Sequence, residues 1–202
     1  MPRRPTRTVP TVLLHGVNGR EADGWQSWLA GQLSDADREV RFPSLGEPDL
    51  TGWLAALDDS LRGLPDDGFD VIAHSLSCLA WLHHAAGSQP GPRPARVALV
   101  APPSAVEESD AAVAADAHPG YRSFYPAPVD IDAVRRAADG TVLVGSDNDP
   151  HCPGGVARVY GVPLKMAATV IPDAGSIDAA AGFGPWPAVL DWCGRDNLAF
   201  IA

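Results

Sequence analysis

Ser75 lies in the segment Phe-Asp-Val-Ile-Ala-His-Ser-Leu-Ser-Cys-Leu-Ala-Trp, Phe69 to Trp81, where a short apolar run meets small residues and then a second apolar run. Small side chains two positions to either side of the serine, here Ala73 and Ser77, let a strand turn sharply into a helix without a clash. Such a turn holds the hydroxyl clear of the backbone, the geometry needed for attack on a carbonyl carbon. The N–H of Leu76 would then stand at a helix start, where aligned peptide dipoles favour a developing oxyanion. A second oxyanion donor is expected from Val17 or Asn18, in the loop His15-Gly16-Val17-Asn18-Gly19. The alternative reading is a serine that only caps a helix.

A nucleophilic serine needs a base and an acid that orients it. The run Thr-Val-Leu-Val-Gly-Ser-Asp-Asn-Asp-Pro, Thr141 to Pro150, reads as an apolar strand ending in polar turn residues. It delivers Asp149, or its competitor Asp147, to a strand's carboxyl end; either could instead serve as an Asx-turn or helix cap. His151 is the histidine that follows these acids in the chain. His15, His74, His83 and His84 precede them and have ordinary readings. His74 adjoins Ser75, but neighbouring side chains on an extended segment point to opposite sides, so His74 is not expected to act as the base. Cys152 beside His151 reads as a small buried hydrophobe.

These groups are positioned by an alternation of short apolar strands with amphipathic helices. Strands are expected at residues 11–15, 39–42, 69–73, 95–101, 141–145 and 168–171. Helices are expected at 25–33, 50–61, 76–86, 131–138, 153–160 and 187–193. Leu50, Trp53, Leu54, Leu57 and Leu61 fall at helical spacing, as do Trp25, Trp28, Leu29 and Leu33. Strands alternating with helices imply βαβ units and a mainly parallel sheet covered on both faces, a three-layer α/β/α sandwich. The six tryptophans are expected mostly in the core. Residues 1–10 read as a frayed arm and 11–202 as one domain. The stretch 102–128 is a candidate lid, long enough to be functional and starting at a strand's carboxyl end, where open α/β sheets bind ligands.

A formal charge of -10 and a pI near 4.8, with one lysine (Lys165), argue against a nucleic-acid surface or an anionic membrane face. No segment approaches the roughly 20 apolar residues of a membrane helix. Cys78, Cys152 and Cys193 form neither a disulfide framework nor a zinc spacing. The expectation is a cytoplasmic enzyme with a small-molecule substrate, no cofactor and no metal, and an oligomeric state that the sequence leaves open.

Several separated motifs then point one way. They are His15-Gly16; Phe42-Pro43 with Glu47-Pro48-Asp49 and Trp53; His74-Ser75-Leu76; Asn148-Asp149-Pro150; and Ala174-Gly175 with Gly182-Phe183-Gly184-Pro185-Trp186-Pro187. Together they resemble the small serine hydrolases of the YdeN and retinoblastoma-binding-protein-nine type, over Thr11 to Trp192. The resemblance implies an α/β-hydrolase fold with Ser75 as nucleophile and Asp149 as triad acid. It also implies a departure, because these relatives read Gly-His-Ile-Asn where this chain reads Gly175-Ser176-Ile177-Asp178. Ser176 thus stands in the place of the catalytic histidine, and a serine hydroxyl is a very poor base near neutral pH.

Three accounts of the departure remain. His151 could reach over as the base, or His118 could close down from the lid. Alternatively the pocket could be repurposed, as a cyclase, lyase or isomerase that uses a carboxylate base, or as a catalytically silent ligand- or protein-binding module. His15, His74, His118, Asp178 and Trp186 are the residues expected around the substrate, with Ser75, Asp149, Ser176 and His151 at the chemistry.

Overall fold

In the computed structural model the described residues are 9–66, 68–87, 91–106 and 119–195. Six strands, β1 (Thr11–Leu14), β2 (Val40–Arg41), β3 (Asp70–His74), β4 (Arg96–Val100), β5 (Gly140–Ser146) and β6 (Ala168–Ile171), form one sheet in the order β2-β1-β3-β4-β5-β6. Every pairing is parallel. Parallel strands need crossovers, and the helices that supply them cover both faces.

Side-chain alternation along the strands sorts the core into two layers. Val12 and Leu14 of β1, Val71 and Ala73 of β3, and Val97 and Leu99 of β4 face one side. There they meet α2 (Leu50–Leu61) and α3 (Leu76–Ala86), with α4 (Ile131–Ala137) alongside. Leu13, Ile72, Ala98 and Val100 face the other side, against α1 (Trp25–Asp35) and the final helix, Pro187–Gly194. Trp25, Trp53, Trp81 and Trp192 are fully buried, as expected of core aromatics. Asp49 starts α2 by accepting the Gly52 N–H, and Asp130 starts α4 by accepting from Asp132 and Ala133.

The element beyond β5 departs from the expected helix at 153–160. A π-helical turn spans Ala157–Gly161 and runs into α5 (Val162–Leu164), while the chain before it is turn. Gly155 takes φ +74, a conformation that excludes a helix start at Pro153. The last helix, Pro187–Gly194, is therefore α6.

The described flanks of the candidate lid are packed. A 3₁₀ segment, Pro119–Phe124, places Phe124 in the core against Trp53, ring centres 5.1 Å apart. Ser123 Oγ accepts the Leu50 N–H. His118, residues 107–117 and residues 1–8 of the expected arm lie outside the described residues. Among the described residues no helix is long and apolar enough to cross a membrane.

Strand order sets the site. The chain runs outward from β1 to β2, then returns past β1 to β3 and continues the other way. The crevice at the carboxyl ends of β1 and β3 is the switch point where open α/β sheets bind ligands. The register pairs Leu14 with Ala73, so the loop after β1 and the turn after β3 emerge side by side.

Candidate functional site

Ser75 occupies that switch point with φ 55 and ψ -126, a sparsely populated conformation that costs a non-glycine residue roughly 1–3 kcal/mol. The neighbouring structure holds it there. The Ser75 N–H donates to Val100 O at 2.9 Å, continuing the β3–β4 ladder through the turn. Ser77 Oγ accepts the His74 N–H at 3.0 Å and lies 2.9 Å from Leu14 O, so it ties the turn to β1. Gly16 faces the turn so closely that a Cβ there would stand 2.9 Å from Ser75 Cβ. The Ser75 side chain makes no capping bond to α3, so its hydroxyl is not spent on the helix.

The cleft beside Ser75 encloses about 50 Å³. Gly16, Val17, Asn18, Gly19, Glu21, Gly24, Trp25, Gln26, His74, Ser75, His151, Ser176 and Asp178 line it. Val17 and Asn18 thus stand at the cleft, on a turn closed by Gly19 N–H to Gly16 O at 3.1 Å. Leu76 opens α3 directly behind Ser75, where first-turn N–H groups have no helical acceptor. His15 lies outside the lining and orders this loop. Its Nδ1 donates to Gly16 O at 2.7 Å and its Nε2 accepts the Leu45 N–H at 3.0 Å, which fixes a neutral ring. Burial pushes the His15 pKa down, consistent with that state.

The turns after β5 and β6 meet opposite Ser75. Asp147 is exposed and accepts the Asp173 N–H at 2.9 Å. Asn148 Oδ1 accepts the Gly175 N–H at 2.7 Å, and Ser146 Oγ accepts the Ala174 N–H at 2.9 Å. Asp149 points inward and is 5% exposed; its Oδ1 accepts from Ser176 Oγ at 2.9 Å and from the His151 N–H at 3.0 Å. Burial raises the Asp149 pKa, against the opposing pull of those two hydrogen bonds. The Ser176 turn is further held by Trp25 Nε1, which donates to Ile177 O at 2.8 Å.

The histidines divide by place. His151 is exposed at the cleft wall. His83 Nε2 donates to Phe124 O, and His84 Nδ1 lies 3.1 Å from Asp58 Oδ1, both away from the site on α3. His74 lines the cleft, where it was expected beside the substrate, and the positive φ at Ser75 ends the extended geometry between the two residues. Its Nε2 lies 2.9 Å from Ser176 O, and its ring packs edge-on against Trp25 at 5.5 Å.

Asp178 lines the cleft and accepts the Ala181 N–H at 2.8 Å. Trp186 stands behind Trp25, ring centres 5.2 Å apart, outside the lining. Glu21 and Gln26 were not singled out in the sequence, and Trp25 was read there as a core residue of a helix face. They arrive together because α1 begins beside the loop after β1, and Gln26 Nε2 donates to Leu14 O at 3.0 Å. The three cysteines are buried, and burial pushes the Cys193 thiol up to about 12. Among the described residues no cluster of three or more His, Cys, Asp or Glu side chains could hold a metal ion.

The model of one protein family, described as serine hydrolase, matches residues 11–194. No curated protein matches the chain. Among solved structures, the ydeN gene product of B. subtilis superposes with a TM-score of 0.75 at 19% identity, covering 91% of this chain and 96% of that one. A yden-like hydrolase from Pectobacterium atrosepticum gives 0.69 at 23% identity, covering 91% and 88%. A structure from work on LipS and LipT, two metagenome-derived lipolytic enzymes, gives 0.61 at 14% identity, covering 86% and 87%. At these identities the likenesses establish a shared three-layer α/β-hydrolase fold.

Proposed function

The chain belongs to the serine hydrolase family, and from that premise we propose that it transfers the acyl group of a small ester, thioester or related carbonyl substrate through Ser75. The observation that carries this reading is the strained, uncapped Ser75 at the sheet's switch point. Ser75 Oγ attacks the carbonyl carbon, the carbonyl electrons move onto oxygen, and the Leu76 N–H with that of Val17 or Asn18 receives the oxyanion. Collapse of the adduct expels the leaving group and leaves an acyl-enzyme, which water then cleaves to regenerate Ser75. A cleft of about 50 Å³ suits a short acyl chain. A formal charge of -10 fits a small-molecule substrate better than nucleic acid, and three free buried cysteines fit a cytoplasmic setting.

On the resemblance read from the sequence, Ser176 stands at Asp149 where the catalytic histidine of such hydrolases would stand, so the proton acceptor for Ser75 must be another group. The bond from Ser176 Oγ to Asp149 favours a second reading, in which the same pocket binds a carbonyl compound without hydrolysing it. Labelling with a fluorophosphonate and turnover of p-nitrophenyl acetate separate the two. The hydrolase reading expects a label on Ser75 and turnover that Ser75→Ala abolishes. No label and no turnover would leave the binding reading.

A further inference from the structure

The serine hydrolase reading leaves open which group takes the Ser75 proton, and on that reading we propose that His74 is the general base, its Nδ1 accepting the proton while the Ser176 carbonyl orients the ring through Nε2.

A general base is recognised by reach to the nucleophile, a lone pair turned toward it, and a third group that fixes the ring. His74 has the third of these in place, and its other ring nitrogen stands in the same corner of the cleft as the nucleophile. A carbonyl oxygen can only accept, so the 2.9 Å contact of Nε2 with Ser176 O places the ring hydrogen on Nε2 and leaves Nδ1 with its lone pair. Nδ1 and Ser75 Oγ lie against the same glycine: a Cβ on Gly16 would stand 3.4 Å from Oγ and 3.6 Å from Nδ1. No hydrogen bond joins the two here, and catalytic hydrogen bonds are often long without substrate and tighten when the site fills. The ring also packs edge-on against Trp25 at 5.5 Å.

His151, the other imidazole of the cleft, is held only through its backbone, its N–H on Asp149 and its O accepting from Ser104. No hydrogen bond among the described residues aims its ring.

The surroundings suit both charge states. His74 is 8% exposed, and burial lowers its pKa, so the ring is neutral and able to accept at neutral pH. The titratable groups facing it are Asp178, Glu21 and Asp149, all carboxylates, and each favours the imidazolium once it forms. In the forward step the Oγ–H bond breaks, its proton passes to Nδ1, and the Oγ–carbon bond forms. The imidazolium then returns the proton to the leaving group as the carbon–leaving-group bond breaks. Attack by water on the acyl-enzyme repeats the transfer and restores neutral His74.

The departure at Ser176 then has a use. Its side chain satisfies Asp149 while its backbone carbonyl supplies the orienting acceptor that a triad carboxylate gives elsewhere.

The test is His74→Gln, whose side-chain amide N–H can still reach Ser176 O but whose oxygen is not basic. Ester hydrolysis is followed from pH 4 to 9, with melting curves confirming the fold. The wild-type rate is expected to fall on the acid side with a midpoint below the ordinary histidine range. His74→Gln should lower kcat/KM at least 100-fold at pH 7 and abolish that acid limb. His74→Ala, with the limb and rate partly restored by added imidazole, gives the same answer if the glutamine variant does not fold. A His74→Gln enzyme within threefold of wild type, or an acid limb lost in His151→Ala but kept in His74→Gln, would overturn the assignment. A wild-type protein that neither labels on Ser75 nor turns over ester overturns the hydrolase reading and this inference together, whereas labelling and turnover indifferent to His74 overturn the inference alone.

Discussion

Ser176 Oγ, in the wall of the cleft that holds Ser75, donates at 2.9 Å to Asp149 Oδ1 behind it, closing a hydroxyl–carboxylate pair. A carboxylate at this distance could orient an imidazole, but a hydroxyl there cannot take a proton near neutral pH. In a His74→Gln background, which removes the proposed base, Ser176→His should therefore raise kcat/KM for p-nitrophenyl esters at least 100-fold. The reference is the roughly million-fold loss in turnover when a serine protease loses its histidine. Steady-state kinetics on a variant with an unchanged melting curve are decisive. No gain would mean that the oxyanion donors or Ser75 itself are misplaced for attack.

Asp149 sets a pH-dependent stability. Its pKa is raised by burial, so between the unfolded carboxylate range and that raised value the folded chain holds more protons than the unfolded one. Stability conferred on the protonated form is present at low pH and lost as pH rises through the raised value, so at pH 7 the carboxylate costs stability. Asp149→Asn can keep both acceptor contacts through its amide oxygen while removing the charge. The variant should melt at or above wild type at pH 7, with the difference vanishing below about pH 4, in the ordinary carboxylate range. A variant that melts lower at pH 7 and equally at pH 4 would reverse the sign and refute the burial argument.

Gly16 tests the close approach of loop and turn. A methyl group there would lie 2.9 Å from Ser75 Cβ, inside any real contact distance, and Gly16 carries the loop that presents Val17 and Asn18. Overpacking of this kind costs about 1–3 kcal/mol when the neighbours are backbone-fixed. Gly16→Ala should lose at least tenfold in kcat, with a smaller change in melting temperature, because the displaced group is the nucleophile. Wild-type kcat in the alanine variant would show that the two loops can separate freely.

The parts of this fold that could be read from the chain are those whose periodicity is local. The apolar spacing of Leu50 to Leu61 and of Leu76 to Ala86 gives α2 and α3 with their observed bounds, and Ala168 to Ile171 gives β6. The pattern fails between residues 153 and 160, because the glycine pair before the π-helical turn sets backbone angles that hydropathy does not encode. At the site, motif order placed Ser75, Asp149 and Ser176 on the turns that the structure brings together. His74 was expected around the substrate and lines the cleft, but the positive φ of Ser75, which shapes the turn beside it, is an angle no residue type announces. Glu21 and Gln26 were missed for a different reason: they join the cleft through the crossover after β1, a tertiary relation with no spacing of its own.

The opposite end of the sheet offers a control in which stability and catalysis separate. Asp70, at the start of β3, is fully buried against Arg96 at the start of β4, with Arg96 Nε to Asp70 Oδ1 at 3.0 Å. The guanidinium also donates to Trp192 O and Arg195 O and lies 4.1 Å above the Trp192 ring, so the pair clamps α6 to the sheet. Removing one member leaves a buried charge uncompensated, at a cost of about 3–5 kcal/mol. For a chain of this length that corresponds to a loss of roughly 6–20 °C in melting temperature. Asp70→Ala should show this loss, while Asp70→Leu with Arg96→Met should recover much of it by trading the pair for apolar contact. Both variants should keep wild-type kcat at temperatures well below melting, because the pair sits at the amino ends of strands whose carboxyl ends carry Ser75 and the residues facing it. A fall in kcat that tracks the stability loss, measured on protein that circular dichroism shows to be folded, would mean that α6 and the cleft are coupled through Trp192 and Trp186.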